Sequence, residues 1–213
     1  LRQIPALIAE GLCAAVYTQT SDVEIECNGW LTYDREIWKI DPKEVREATG
    51  QLYLPHPTVR AIVPRAGQSE ARATWRYTMP APAVTGAAWA TPGFDDSAWK
   101  SGEAGFGSEG TPGANIKTPW TTSEIWLRRT FDLKAVPENL SLSIHHDEDA
   151  EVYINGVLAA KLPGYTSSYR TTPIAPAALA ALHAGTNTLA VHCTQTRGGQ
   201  YIDCGLVEII PAR

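Results

Sequence analysis

Residues 147–156 read Asp-Glu-Asp-Ala-Glu-Val-Tyr-Ile-Asn-Gly, and this stretch decides the fold. Its apolar residues Val152 and Ile154 lie two apart with more polar neighbours between them, which is the period of a half-buried strand. The Asn155-Gly156 pair that follows is a strong hairpin signal, because both residues tolerate the positive φ angles of a tight turn. The stretch therefore predicts a strand that turns back in an antiparallel sheet.

The same alternation recurs on both sides of this hairpin. Every second position is apolar over residues 140–144 and 189–193 and, apart from Arg129, over residues 127–133; Gly, Pro, Asn and Asp separate these runs. Only residues 176–183 have helical spacing in this half of the chain. Short alternating runs with turn residues between them indicate an antiparallel β-sandwich or jelly roll. We therefore predict that residues 71–213 form one mainly β module.

Residues 1–50 follow a different pattern. Helical spacing at the start gives way to a continuous apolar run over residues 13–17, which suits a strand buried on both faces. A second helix is predicted from Asp41, a good N-cap, to a stop at Gly50. One strand and two helices cannot close a core, so we expect a fragment of an α/β domain whose partners lie upstream. The proline-containing residues 51–70 predict an extended linker.

The composition allows a packed core and excludes several classes of function. Of the 213 residues, 44% are hydrophobic and 19% charged, so the chain is not disordered by composition. The net charge is −5 and no Lys/Arg-rich block occurs, so neither nucleic acid nor an anionic membrane is an expected partner. Prolines and glycines interrupt the uncharged run over residues 77–94, which argues against a membrane helix. No signal peptide is visible, and we expect Leu1 to mark a processing boundary.

Four cysteines are present: Cys13, Cys27, Cys193 and Cys204. Their spacing matches no paired zinc-ligand motif, and four are too few for a disulfide scaffold in a chain of this length. Cys193 and Cys204 are in phase with inward-facing residues, and a hairpin turning at Gly198-Gly199 would place them opposite each other. We expect buried free thiols, with a cross-strand disulfide as the alternative.

The polar residues after the first predicted strand resemble a known family. In order they are Tyr17-Thr18-Gln19, Asp22-Val23-Glu24, Glu26, Asn28-Gly29 and Thr32-Tyr33-Asp34-Arg35. The run resembles the last β/α unit of the (β/α)₈ barrel of glycoside hydrolase family 2, which includes β-galactosidases, β-glucuronidases and β-mannosidases. The resemblance implies a place at the active-site rim, with fixing of loop geometry as the alternative. No residue matches the two catalytic glutamates of the family, so we predict no catalytic residue in this chain.

Most of residues 72–210 resembles the galactose-binding-like β-sandwich of carbohydrate-active enzymes. The matching stretches are Gly93-Phe94-Asp95-Asp96-Ser97-Ala98-Trp99, Ile125-Trp126-Leu127-Arg128-Arg129-Thr130-Phe131, Asp147-Glu148-Asp149-Ala150-Glu151-Val152-Tyr153-Ile154-Asn155-Gly156 and Asn187-Thr188-Leu189-Ala190-Val191. Their order is specific for the fold. The same order is only a weak indication of which ligand binds, because this sandwich also serves as a spacer or a docking surface.

Aromatic and hydrogen-bonding side chains on glycine-flanked loops form the predicted carbohydrate site. They are Trp120, Tyr165, Tyr169, Arg197, Gln200 and Tyr201. Flat rings stack on the apolar C–H faces of pyranoses, while guanidinium and carboxamide groups hydrogen-bond to hydroxyls. Ordinary loop packing is the alternative for each aromatic residue, so the prediction depends on several of them meeting in space.

The densest polar cluster is His-His-Asp-Glu-Asp at residues 145–149. Asp147, Glu148 and Asp149 would supply oxygen ligands to a structural calcium ion. The alternative is a charged turn whose carboxylates bond local backbone amides.

These patterns predict a non-catalytic carbohydrate-binding module of a secreted or periplasmic glycoside hydrolase. The module would target or support an upstream catalytic barrel domain of the same polypeptide, with a glycan or polysaccharide as its partner. One alternative is a purely structural β-sandwich spacer with no ligand. The other is an active retaining glycosidase, against which the missing carboxylate pair argues.

Overall fold

The computed structural model describes residues 8, 12, 14–68, 73–210 and 212. The chain divides into two compact units, Leu1–Val59 with Ile210–Arg213, and Arg60–Ile209. Within the described residues, no helix is both long enough and apolar enough to cross a membrane.

The helices and strands follow in chain order. They are α1 (Pro42–Gly50), a 3-10 helix (Gln51–Tyr53), β1 (Thr58–Val63), β2 (Thr74–Thr78), a second 3-10 helix (Gly86–Ala90), β3 (Lys100–Glu103), β4 (Phe106–Gly107), β5 (Thr118–Pro119), β6 (Glu124–Leu133), β7 (Leu140–Asp147), β8 (Ala150–Ile154), β9 (Val157–Leu162), β10 (Arg170–Pro173), α2 (Pro176–Ala180), β11 (Gly185–Thr194) and β12 (Tyr201–Ile210).

The second unit is a β-sandwich, which confirms the predicted fold class. One six-stranded sheet, the β7 sheet, has the order β10-β7-β12-β4-β5, and β1 pairs with β12. The other, the β6 sheet, has the order β3-β2-β6-β11-β8-β9. Alternate residues of both sheets, such as Leu127 in β6 and Leu142 and Ile144 in β7, fill the core between them.

The hairpin of the deciding stretch forms as predicted. β8 and β9 pair antiparallel through Asn155 and Gly156, whose φ angles are 50° and 84°. Two successive positive φ angles define the type I′ turn, whose twist matches that of the flanking strands. The α2 helix (Pro176–Ala180) confirms the helix predicted from the spacing of residues 176–183.

Two of the stretches that resemble the sandwich family meet in space. Arg128, which is 3% exposed, donates from Nε to Asp96 Oδ2 at 2.7 Å and from Nη1 to the Trp89 carbonyl. Asp95 instead accepts a hydrogen bond from the Ser97 amide at 2.9 Å and caps a local turn. The polar residues of these two stretches therefore have a structural role, which is the attachment of a loop to the β6 sheet.

The predicted hairpin between β11 and β12 is wrong. β11 pairs with β6 and β8 in one sheet, whereas β12 pairs with β7 and β4 in the other. Cys193 therefore lies opposite Ile125 and Ala150, and Cys204 lies opposite Ile144. Both are buried free thiols, and burial raises the pKa of each.

In the first unit, α1 is confirmed. Asp41 Oδ1 accepts a hydrogen bond from the Lys43 amide at 2.8 Å, and the helix ends at Gly50. The strand predicted over residues 13–17 is not seen in its described part, because residues 14–17 have no strand to pair with among the described residues and are exposed. Cys13 and the helix predicted at the start of the chain lie outside the described residues, apart from Ile8.

The predicted linker contains a strand. β1 (Thr58–Val63) joins β12, and Val63 is 1% exposed in the sandwich core. Pro57 and Pro64 flank this strand rather than interrupt it, so their missing N–H groups remove no ladder hydrogen bond. The compact sandwich unit accordingly begins at Arg60 rather than at residue 71.

Candidate functional site

An open pocket of about 430 Å³ lies where the end of β7 meets two loops, a size typical of ligand sites. We name it the Tyr165 pocket. Its lining residues are Pro112, Asp147, Glu148, Tyr165, Thr166, Ser167, Arg197, Gly198 and Gly199.

Backbone contacts to β7 position the loop that carries Tyr165. Asp147 and Tyr165 form an isolated antiparallel bridge, and the Thr166 amide donates to the His146 carbonyl at 2.8 Å. The Gly164 amide donates to Asp149 Oδ1 at 2.6 Å. These contacts leave the Tyr165 side chain 72% exposed beside the pocket. An exposed ring on an anchored loop is available to stack on a ligand.

The facing loop supplies a cation and a close backbone approach. Its conformation is fixed by Glu148 Oε2, which accepts hydrogen bonds from both the amide and the hydroxyl of Thr196. Arg197 is exposed and makes no hydrogen bond or ion pair within the described residues. At Gly199, a Cβ atom would lie 2.4 Å from Asp147 Oδ2, so a larger residue would displace this carboxylate.

Asp147 is the most enclosed charged group of the pocket. Its exposed fraction is 8%, yet its carboxylate accepts no hydrogen bond from any residue that the structure describes. Burial, followed by the charge of Glu148, raises the pKa of Asp147 above its ordinary value. A ligand with hydrogen-bond donors would satisfy this carboxylate.

Of the six residues predicted to bind carbohydrate, the structure brings two together at the pocket. Tyr165 and Arg197 both line it. Trp120 and Tyr201 are fully buried, and Gln200 is 8% exposed, so these three are corrections to the predicted site. The ring of a fully buried side chain has no free face for a sugar.

The buried residues have internal partners. Trp120 Nε1 donates to Thr122 Oγ1 at 3.1 Å, and Gln200 Nε2 donates to the Thr122 carbonyl at 2.6 Å. Their loops fold inward because each polar tip finds an acceptor there. Glycine-flanked aromatic residues of this kind look the same in sequence as exposed ones.

Tyr169 and Tyr201 belong to a polar cluster, the Tyr169 network, which also contains Asp203 and Arg65; Tyr201 and Asp203 are buried, and Tyr169 and Arg65 are half-buried. The Tyr169 hydroxyl donates to Asp203 Oδ2 at 2.6 Å and lies 3.0 Å from the Tyr201 hydroxyl. The Arg65 guanidinium carbon lies 3.7 Å from the centre of the Tyr169 ring. Burial raises the pKa of Asp203, and burial with the Asp203 charge raises the pKa of Tyr201 to about 12. The network anchors the far end of the Tyr165 loop.

His145 adds a further anchor beneath this loop. Its Nε2 lies 2.9 Å from the Thr166 carbonyl, which can only accept, so the neutral ring carries its proton there. Its Nδ1 is buried and has no partner within the described part of the chain. Burial lowers the pKa of His145, because the protonated ring would lie away from water.

The predicted calcium site is not supported by the geometry. No three or more His, Cys, Asp or Glu side chains among the described residues are placed to hold a metal ion. Asp149 and Glu148 instead accept hydrogen bonds from the amides of Gly164 and Thr196. These amides lie 15 and 48 residues away along the chain, so the alternative of a charged turn that bonds local amides does not describe the two residues either.

Sequence reasoning did not assign Asp147, Thr166, Ser167 or Gly199 to the glycan site. Asp147 was predicted as a metal ligand, because a carboxylate beside two others resembles a calcium loop. The available signal for Thr166 and Ser167 was the hydroxyl-rich composition of their loop. Gly199 carries no such signal, since its role depends on a contact with a distant strand.

No protein-family profile matches the chain, and no curated protein matches it. Among solved structures, it is similar to a glycosyl hydrolase family 2 member from Bacteroides cellulosilyticus, with 17% identity, 64% of this chain and 20% of that chain covered, and a TM-score of 0.46. It is also similar to the β-glucuronidase of Bacteroides uniformis, with 20% identity, 73% of this chain and 18% of that chain covered, and a TM-score of 0.45. A third similar structure is an exo-chitosanase of Amycolatopsis orientalis, with 14% identity, 71% of this chain and 20% of that chain covered, and a TM-score of 0.47. The chain spans about a fifth of the length of each of these structures.

Proposed function

We propose that the sandwich is a non-catalytic glycan-binding module of a glycoside hydrolase and that its ligand occupies the Tyr165 pocket. The observation that carries the proposal is the exposed Tyr165 ring beside an open cavity that also presents Asp147 and Arg197. The ring would stack on the C–H face of a pyranose, while the carboxylate accepts hydrogen bonds from hydroxyls and the guanidinium donates to them. Aromatic and polar groups in one cavity fit a sugar.

The anchoring of the Tyr165 loop supports the same proposal. Tyr165 lies between two attachment points, the β7 bridge on one side and the Tyr169 network on the other. A loop held in this way loses little conformational entropy when a ligand binds. That property suits a weak, solvent-exposed sugar site, in which few contacts contribute affinity.

The first unit supports a role as part of a larger protein. Its described residues include many exposed large apolar side chains: Val16, Tyr17, Val23, Ile25, Tyr33, Ile37, Trp38, Ile40, Tyr53 and Leu54. Extensive apolar exposure is typical of surfaces that pack on another protein or domain. We infer that this unit packs on an upstream catalytic barrel domain of the same polypeptide.

The ligand site is tested with the Tyr165→Ala variant. A glycan array first identifies a ligand, and calorimetry then measures its affinity for the intact chain and the variant. We expect the variant to bind about tenfold more weakly, equivalent to about 1.4 kcal/mol, because the stacking surface is lost. The melting temperature should stay nearly constant, since an exposed side chain contributes little to stability.

Tyr33→Ala is the matched control. Tyr33 and Tyr165 have the same exposed fraction, 72%, but Tyr33 belongs to the first unit. The control should bind the glycan as tightly as the intact chain. An array without any ligand, or equal affinity for Tyr165→Ala and the intact chain, would contradict the proposal and favour a spacer.

A further inference from the structure

The enclosed carboxylate of Asp147 is the one charged group of the Tyr165 pocket that is both buried and without a hydrogen-bond donor among the described residues. Its oxygens are not among the fully enclosed side-chain atoms that lack a partner in the described part of the chain, so they open onto the pocket, where the donors of a ligand can replace water. Resting on the proposed function, we infer that Asp147 anchors the glycan and restricts the pocket to sugars that carry hydrogen-bond donors and no negative charge. The donors are hydroxyl or ammonium groups.

The backbone keeps this carboxylate accessible from the pocket. Asp147 lies opposite Tyr201 in the β7–β12 register. Gly199 packs closely on Asp147: a Cβ atom there would lie 2.4 Å from Asp147 Oδ2, so a larger residue would displace the carboxylate. Glycine at this position therefore allows Asp147 to keep its place at the pocket.

The charges around Asp147 set the preference. Glu148 lines the same pocket, so two carboxylates face the ligand against the single guanidinium of Arg197. Arg197 is exposed to solvent, which screens its charge, whereas the interaction with buried Asp147 is screened much less. A uronate carboxylate entering the pocket would therefore meet net repulsion, and a hydroxyl or ammonium group would not.

The protonation of Asp147 agrees with this geometry. Its pKa is raised by burial and by Glu148, which means that the empty pocket stabilises the charged form poorly. A bound donor would stabilise the charged form, so glycan affinity should fall as the pH is lowered and Asp147 takes up its proton.

The test compares three matched sets of oligosaccharides in the gluco and galacto configurations: neutral, 2-amino and uronate. Calorimetry measures their affinities for the full chain and for Asp147→Asn, which keeps the shape of the side chain but removes its charge. Asp132→Asn removes one charge from β6, at a residue that does not line the pocket, and serves as the control. For the unaltered chain, we expect uronates to bind at least tenfold more weakly than neutral sugars.

In Asp147→Asn, we expect the ratio of neutral to uronate affinity to fall toward one, while Asp132→Asn keeps the ratio of the unaltered chain. A 2-amino sugar that binds several-fold more tightly than the neutral one identifies an ammonium donor, and equal binding identifies hydroxyls. Uronates that bind the unaltered chain as tightly as neutral sugars overturn the inference, whether or not Asp147→Asn folds. So does an unchanged ratio in a folded Asp147→Asn. Both results leave the proposed function standing, whereas a chain that binds no sugar refutes the proposed function itself.

Discussion

At the residue scale, Arg128 is a guanidinium almost wholly removed from water, and Asp96 offsets its charge. Their ion pair measures 2.7 Å, with side-chain exposures of 3% for Arg128 and 27% for Asp96. Asp96→Ala should lower the free energy of unfolding by roughly 3 kcal/mol, because it leaves the buried guanidinium without its counter-charge. Urea denaturation measures the change. Asp95→Ala, the neighbouring change at an exposed turn residue, should cause a much smaller loss, and equal losses would refute this role of Asp96.

His145 gives the sandwich a pH dependence whose sign follows from its burial. Because burial lowers the pKa of the folded ring below the ordinary value of 6.5, the unfolded chain binds the proton first as the pH falls. The free energy of unfolding should therefore decline as the pH drops below about 6.5. Asp203 has the opposite effect. Because its pKa is raised in the folded chain, its protonation increases the free energy of unfolding as the pH falls.

The difference between two denaturation series isolates the contribution of His145. His145→Gln lacks the titrating ring and can still donate to the Thr166 carbonyl. Between pH 7.5 and 5.5, its free energy of unfolding should fall less steeply than that of the unaltered chain. Parallel pH profiles would show that His145 takes up its proton equally in both states.

Tyr165 and Tyr201 show how far residue-level prediction reaches. Each follows a glycine-containing turn, and both were predicted to bind sugar. Tyr165 is 72% exposed, whereas Tyr201 is fully buried. The hydroxyl of buried Tyr201 contacts the Tyr169 hydroxyl and the Asn115 carbonyl, which come from other parts of the chain. Local sequence contains no information about such contacts. The sequence therefore predicted which side chains could stack on a sugar, but not which of them are exposed.

At the element scale, the turn between β8 and β9 can be tested at Gly156. Its φ angle of 84° is unfavourable for any other residue, and an added Cβ atom would lie 2.8 Å from Thr91 Cγ2. Gly110 has a similar φ angle, 85°, and no atom within 4 Å of such a Cβ. Gly110→Ala should cost about 1 kcal/mol from backbone strain alone.

Gly156→Ala should cost about twice as much, because the contact with Thr91 adds to the same strain. Thermal or urea denaturation of the two variants gives the comparison. If both lose equal stability, the Thr91 contact contributes nothing, and the turn depends on backbone conformation only.

The strands themselves were predictable, but the pairing of β11 with β12 was not. Alternation of apolar and polar residues shows which residues of a strand share a face. It was sufficient to predict β6, β7, β8 and β11 from the sequence. It does not reveal which neighbour a strand pairs with. In a sandwich, consecutive strands either form a hairpin or cross to the opposite sheet, and both choices bury Cys193 and Cys204 equally well.

At the scale of the whole molecule, the sandwich has its own core. Among the described residues, every buried apolar side chain lies at or beyond Val63, and the compact unit spans Arg60–Ile209. The assignment of residues 1–50 to an α/β barrel fragment stays a prediction. The position of the boundary was not predictable, because a short strand flanked by prolines reads as a connector until its partner, β12, is known.

The boundary yields a prediction that two truncated chains can decide. A chain that begins at Thr58 keeps all of β1, whereas one that begins at Ala66 loses β1 and the buried side chain of Val63. We expect the longer chain to unfold in one cooperative thermal transition. The shorter chain should be less stable by at least about 1.5–3 kcal/mol, the value for burying one valine, with a further loss from the β12 edge that is left unpaired. Equal stability of the two chains would place β1 outside the cooperative unit, and loss of the cooperative transition in both would show that the sandwich requires the first unit in order to fold.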